Sequence, residues 1–157
     1  MEIIHHELKI AADADRAFEA FTDGLRNWWP PEYTWSGRSV LVDIGIEPGA
    51  GGMCFEIGPH GFRCDWGRVL VWDPPWRLVF SWQIGPGREP VPDPDRASEV
   101  EVRFNDGRIE LEHRDFDKHG PSGGDYRKAL ASPEGWPFML DRFQSYLEDS
   151  RKPKTRH

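Results

Sequence analysis

Hydrophobic and polar positions alternate with period two over most of the chain, and recur at helical spacing in two places. Residues Glu2–Ile10 alternate loosely and predict a first strand. In "ADADRAFEAFTDGLRNWW", Phe18, Phe21, Leu25 and Trp28 follow helical spacing, with Asp13 as N-cap. Gly24 is expected to divide this stretch into two short helices. From Val40 onward the period is two. Val40, Val42, Ile44 and Ile46 form one run, and Met53, Phe55 and Ile57 the next. Leu78, Phe80, Trp82 and Ile84 follow, then Val100, Val102 and Phe104, then Ile109, Leu111 and His113. Each run predicts an antiparallel strand with one dry face. The turns between them are short, except the proline-rich loop "GPGREPVPDPDRA".

A last helix is predicted with Ser132 as cap and Pro133 at its first position. Trp136, Leu140, Phe143 and Leu147 make its apolar stripe. An antiparallel sheet with one dry face has to be covered, and this helix is the element long enough to do it. The expected fold class is therefore α+β: a helix-grip architecture in which a curved antiparallel sheet wraps a long C-terminal helix. Residues 1–149 are expected to form the domain and 150–157 a basic tail. A curved sheet gripping one helix leaves a hollow, which is the expected ligand site.

The stretch "DWGRVLVWDPPWRLVFSW" (65–82) holds four tryptophans and reads as a hairpin. A four-residue loop Asp73–Trp76 pairs Val71 with Leu78, Val69 with Phe80 and Gly67 with Trp82. Paired residues share a face, and Gly67 leaves room for the Trp82 indole. Trp82 is thus expected inside. Trp66 and Trp72 are expected on the outer face with Leu70, as a candidate homodimer patch, and Trp76 in the turn. The same parity places Arg63 and Asp65 inside, near Phe55 and Ile57, and Cys54 and Cys64 outside. His113 and His6 are expected on inner faces. Polar groups in an apolar cup are costly unless paired or wetted. Two readings stand: an Arg–Asp pair with histidines bonded to carbonyls, or contacts that orient a ligand. His6 and His113 lack a third residue at metal-ligand spacing, so no metal and no cofactor is expected.

Composition narrows the classes. The chain has 157 residues, net charge −7 and 13% aromatic residues. Acidity without a basic stripe argues against nucleic acid as a partner. No apolar run approaches the ~18 residues of a membrane span, and "MEIIHHELKI" lacks a signal-peptide pattern. Two cysteines make no disulfide framework, and a cytoplasmic location is expected. No nucleophile elbow, zinc helix or phosphate loop is present.

Taken in order, "AFEAFTDGLRNWWPP", a glycine-led strand, "DWGRVLVWDPPWRLVFSW", "ELEHRDF" and "GWPFMLDRFQSYL" resemble the START-like (Bet v 1-like, SRPBCC) superfamily. The branch they resemble is named after activators of the heat-shock protein 90 ATPase, and the likeness spans residues 3–148. It implies the helix-grip fold and a cavity between sheet and final helix. The superfamily includes lipid carriers, hormone receptors, polyketide cyclases and co-chaperone domains, so it does not fix the function. The co-chaperone role belongs to longer proteins with an additional N-terminal domain, for which this chain has no room.

The leading expectation is a protein that binds a small apolar or aromatic ligand. Its cavity would be lined by Trp28, Phe55, Phe80, Trp82, Trp136, Leu140 and Phe143, with Arg63, Asp65, His6 and His113 as polar anchors. A second expectation is a cyclase or aromatase in which His113, with Asp65 or Arg63, moves protons. A third is a protein-interaction or co-chaperone-like module using Trp66, Trp72 and Trp76.

Overall fold

The computed structural model describes residues 3–34, 36–37, 40–87 and 89–151. Strand β1 (Ile4–Lys9) leads into helix α1 (Ala14–Phe21), capped by the Asp13 side chain, which accepts the Arg16 N–H. A Cβ on Gly24 would sit 3.0 Å from the Ala20 carbonyl oxygen, so the chain closes tightly there and continues as a 3-10 turn, Leu25–Asn27. Six strands follow: β2 (Asp43–Ile46), β3 (Met53–Ile57), β4 (Arg63–Asp73), β5 (Arg77–Trp82), β6 (Ser98–Asn105) and β7 (Arg108–Arg114). All neighbouring pairs are antiparallel, and the seven strands form one curved sheet in the order β1-β7-β6-β5-β4-β3-β2. The sheet and its terminal helix realise the helix-grip class expected from the periodicity.

Three expectations are corrected. The first β2 residues do not pair as a strand: Val42 is 69% exposed, and regular pairing starts at Asp43. A helix missed in the sequence, α2 (Gly123–Ala131), precedes the last one, and Ser132 terminates it with its hydroxyl donating to the Ala129 carbonyl. Helix α3 therefore starts at Trp136 rather than Pro133 and runs to Arg151. The first two residues of the expected tail belong to α3, and 152–157 lie outside the described residues.

The third correction concerns β4. It carries two bulges, because Trp66 has no partner between the pairs Cys54↔Gly67 and Phe55↔Asp65, and Leu70 none between Val69↔Phe80 and Val71↔Val79. Each extra residue reverses the alternation beyond it. Val69 does face Phe80 as expected, but Leu78 pairs with Trp72 instead of Val71. Trp66 and Trp72 thus turn inward, while Arg63 and Asp65 turn outward. Gly67 is needed for a different reason than expected: a Cβ there would meet the Ser81 carbonyl oxygen at 2.4 Å and Cys54 Sγ at 3.2 Å.

The α3 stripe lies as read: Trp136, Leu140, Phe143 and Leu147 are all buried, joined by Met139. They pack with Phe18, Phe21, Leu25, Trp28 and Trp29 from the N-terminal helical segment against the inner face of the sheet. Among the described residues no helix is long and apolar enough to cross a membrane.

Candidate functional site

Aromatic rings fill the interior where the sequence reading places a hollow. Trp29 stacks on Trp66 at 5.5 Å and contacts Trp82 and Trp136 at 5.9 and 6.1 Å. Trp82 meets Trp66 at 6.0 Å and Trp136 at 5.5 Å. Trp28 packs edge-on against Phe143 at 4.8 Å. Offset and edge-to-face contacts of this kind add about 0.5–1.5 kcal/mol each beyond burial. Of the four hairpin tryptophans, Trp66 and Trp82 are therefore core, Trp72 packs edge-on against Phe18 at 5.0 Å, and Trp76 is 53% exposed in the turn. No outer Trp66/Trp72 patch exists, because the bulges turn both rings inward. Leu70, the third residue expected in that patch, is exposed as expected, and the exposed apolar side chains Val40, Val42 and Phe62 lie elsewhere.

The predicted lining residues accordingly separate. Trp28, Phe80, Trp136, Leu140 and Phe143 are buried core. Phe55, Arg63 and Asp65 lie on the outer face. There Arg63 Nε donates to Asp65 at 2.8 Å, its guanidinium carbon sits 4.7 Å from the Phe55 ring, and it also pairs with Glu47 at 3.4 Å. Cys54 and Cys64 face inward instead. Both are free thiols; burial pushes Cys54 up beyond any useful ionisation and Cys64 up to about 11, so neither is a nucleophile at neutral pH. His6 shares the inner face of β1 with Ile4 and Leu8, and its Nε2 is buried without a partner.

His113 is fully buried and both ring nitrogens are engaged. Trp136 Nε1–H donates to Nδ1 at 2.9 Å, and Nε2 lies 2.7 Å from Ser98 Oγ. Burial, with a smaller contribution from His119, holds it well below the usual histidine range. It has no free nitrogen for a metal or a substrate, so the proton-moving role expected of it has no geometric basis.

Metal-ligand atoms converge elsewhere: one donor each from His5, Glu7 and Glu110 lies within 4.8 Å of the others. This group sits on the outer face of β1 and β7, and Glu110 is also held by Arg108 at 3.3 Å and Arg103 at 3.7 Å.

Trp82, one of the predicted lining residues, borders a partly apolar cleft. That cleft opens where β5 ends, and is walled by Tyr33, Ile84, Pro86, Tyr126 and Leu130, with Gly135 at the α2–α3 junction. Its volume is about 340 Å³, within the roughly 300–1,000 Å³ typical of small-molecule sites. Trp82 Nε1–H donates to Tyr126 Oη at 2.7 Å, and Tyr126 Oη–H donates to the Ile84 carbonyl at 2.8 Å, fixing both rings. Burial raises the Tyr126 hydroxyl, so it stays a neutral donor. Tyr126 lies on α2, the helix not read from sequence, which is why this wall was missed. Beyond Gly85 and Pro86 lies a second cleft of about 310 Å³, lined by Glu89, Val91, Arg96, Lys118, His119 and Gly120. A larger groove along α1, about 500 Å³, is walled mainly by charged residues including Asp13, Asp15, Glu19 and Asp23.

Comparison with known proteins adds the lineage. A search of curated proteins gives no significant match. Among solved structures, the chain is similar to an anthrahydroquino-γ-pyrone synthase, Txn09, solved as a complex: 35% identity, 92% of this chain and 96% of that one, TM-score 0.66. It is similar to the self-sacrificing resistance protein CalC from Micromonospora echinospora at 28% identity over 97% of both chains, TM-score 0.64. The Aha1 dimer from Colwellia psychrerythraea shares the fold, at 18% identity, 97% and 100% coverage and TM-score 0.61. The family model for Activator of Hsp90 ATPase homolog 1-like protein matches residues 11–148. With that match spanning nearly the whole described fold, the chain belongs to the Activator of Hsp90 ATPase homolog 1-like family.

Proposed function

We propose that this protein binds a flat, largely apolar aromatic small molecule in the cleft floored by Trp82. The observation that carries the reading is the cleft's make-up. Two rings, Trp82 and Tyr126, are locked to each other and to the Ile84 carbonyl, and aliphatic walls come from Ile84, Pro86 and Leu130. Rigid aromatic walls suit a planar ligand, because they lose little entropy on binding, and Ser132 and Glu134 form the polar part of the lining. The similarity to a synthase named for a polycyclic aromatic compound supports the same class of ligand. The interior cavity expected from the fold is not required. The ring cluster serves as a stiff floor, and binding occurs at its mouth.

A titration with anthraquinone and naphthoquinone compounds tests this, read by tryptophan fluorescence and thermal shift. Saturable quenching that weakens at least tenfold in Leu130→Glu, with the far-UV spectrum unchanged, supports the reading. Absence of any saturable response in the wild-type protein overturns it.

A further inference from the structure

His119 was not singled out in the sequence, yet it ends a hydrogen-bond chain that runs out of the core. Trp136 Nε1–H can only donate, so His113 Nδ1 must accept, at 2.9 Å. Neutral His113 therefore carries its proton on Nε2, which donates to Ser98 Oγ at 2.7 Å. The Ser98 hydroxyl, having accepted, donates onward to His119 Nε2 at 2.7 Å. The Ser98 backbone N–H points to the same nitrogen at 3.2 Å. His119 Nε2 thus receives two donors, and its own proton is left on Nδ1. Among the described residues Nδ1 has no hydrogen-bond partner, and the residue lines the second cleft.

The charged groups in that cleft are Arg96, Lys118 and Glu89. Lys118 pairs loosely with Asp115, at 3.9 Å. The Glu89 carboxylate lies back over its own loop, where a Cβ on Gly85 would meet its Oε1. The Glu89 charge nevertheless bears on His119, so the cleft offers a neutral N–H among two cations and one carboxylate, a net positive set that suits an anionic oxygen. It shares Gly85 and Pro86 with the Trp82 cleft, and the His119 and Tyr126 rings meet edge to face at 5.0 Å between the two.

Resting on the reading of the Trp82 cleft, we infer that the ligand is an aromatic carboxylic acid. Its ring lies on Trp82, and its carboxylate accepts the Nδ1–H of His119, whose tautomer is set by Trp136 through His113 and Ser98. The tautomer follows from the hydrogen-bond chain, and the preference for a carboxylate is what a merely structural histidine would not show.

The test has two arms on the full chain. In the first, long-range proton–nitrogen spectra of the ligand-free protein at pH 7.5 should show His119 as the Nδ1–H tautomer. An Nε2–H form overturns the proposal. In the second, anthraquinone-2-carboxylate is compared with 2-(hydroxymethyl)anthraquinone by fluorescence titration. The carboxylate should bind at least tenfold more tightly, and His119→Phe should abolish that preference, read as the ratio of the two affinities. Equal affinity for both compounds in the wild-type protein overturns the carboxylate inference and leaves the Trp82 cleft reading standing; binding of neither overturns both.

Discussion

A Cβ added to Gly67 would lie 2.4 Å from the carbonyl oxygen of Ser81, closer than any side chain tolerates. The glycine is therefore what lets β4 and β5 approach beside the Trp66 bulge. Gly67→Ala is expected to destabilise the protein by about 1–3 kcal/mol through forced backbone displacement. Gly124→Ala provides the contrast: it lies in α2 with nothing within 4 Å of a Cβ, and should stabilise by up to about 1 kcal/mol. Urea denaturation of the two variants checks both signs.

Phe143 occupies the middle of α3 and packs against both Trp28 and Phe21, the latter at 5.5 Å. It is completely buried, so Phe143→Ala removes a large side chain from a close-packed cluster. The expected loss is about 3–5 kcal/mol, measured as a fall in urea midpoint with unchanged slope.

Trp136→Phe keeps most of the ring volume but deletes the one donor to His113 Nδ1. A buried acceptor then loses its partner, at a cost of about 1–3 kcal/mol. Trp136→Phe in a His113→Phe background should cost less than in the wild type, because no acceptor remains to be orphaned. A double-mutant cycle by thermal unfolding reads this coupling.

Acid should act in two stages. Folded His113 is held neutral, whereas in the unfolded chain it protonates near the ordinary 6.5. Below that pH the unfolded state binds the extra proton, so stability falls as pH drops, by up to about 1.4 kcal/mol per pH unit. Burial alone would raise the Glu101 carboxyl, but bonds from Arg77, Arg114 and Arg103 outweigh it and hold the group at about 2. Its contribution is present above the ordinary 4.5 and is lost as pH falls from there toward 2. His113→Phe should therefore lessen the slope of the stability curve between roughly pH 5 and 6.5, with His6 and His119, also held down by burial, supplying the remainder, and leave the lower stage intact; chemical denaturation across pH checks this.

Much of the fold is legible because it rests on period. Strands β3, β5, β6 and β7 and the α3 stripe each keep one face dry, and alternation reports that directly. The faces of β4 were not legible, because a bulge is a matter of counting: one unpaired residue at Trp66 and another at Leu70 leave no mark in composition. That single ambiguity misplaced Arg63, Asp65, Phe55, Trp66 and Trp72 together. Helix α2 was missed because "PSGGDYRKALAS" opens on glycines and carries few apolar residues, so its signal is weak. With α2 absent, Tyr126 could not be assigned to the site. The inward placement of Trp82 survived, since β5 has no bulge and its alternation holds to the end.

The most direct measurement is the indole N–H region of a proton–nitrogen correlation spectrum, followed while anthraquinone-2-carboxylate is added. The Trp82 resonance, assigned through a Trp82→Phe variant, should shift in a saturable manner, while that of the exposed turn residue Trp76 stays in place. A Trp82 signal that does not move at saturating compound, or moves no more than that of Trp76, would contradict ligand binding over the Trp82 floor.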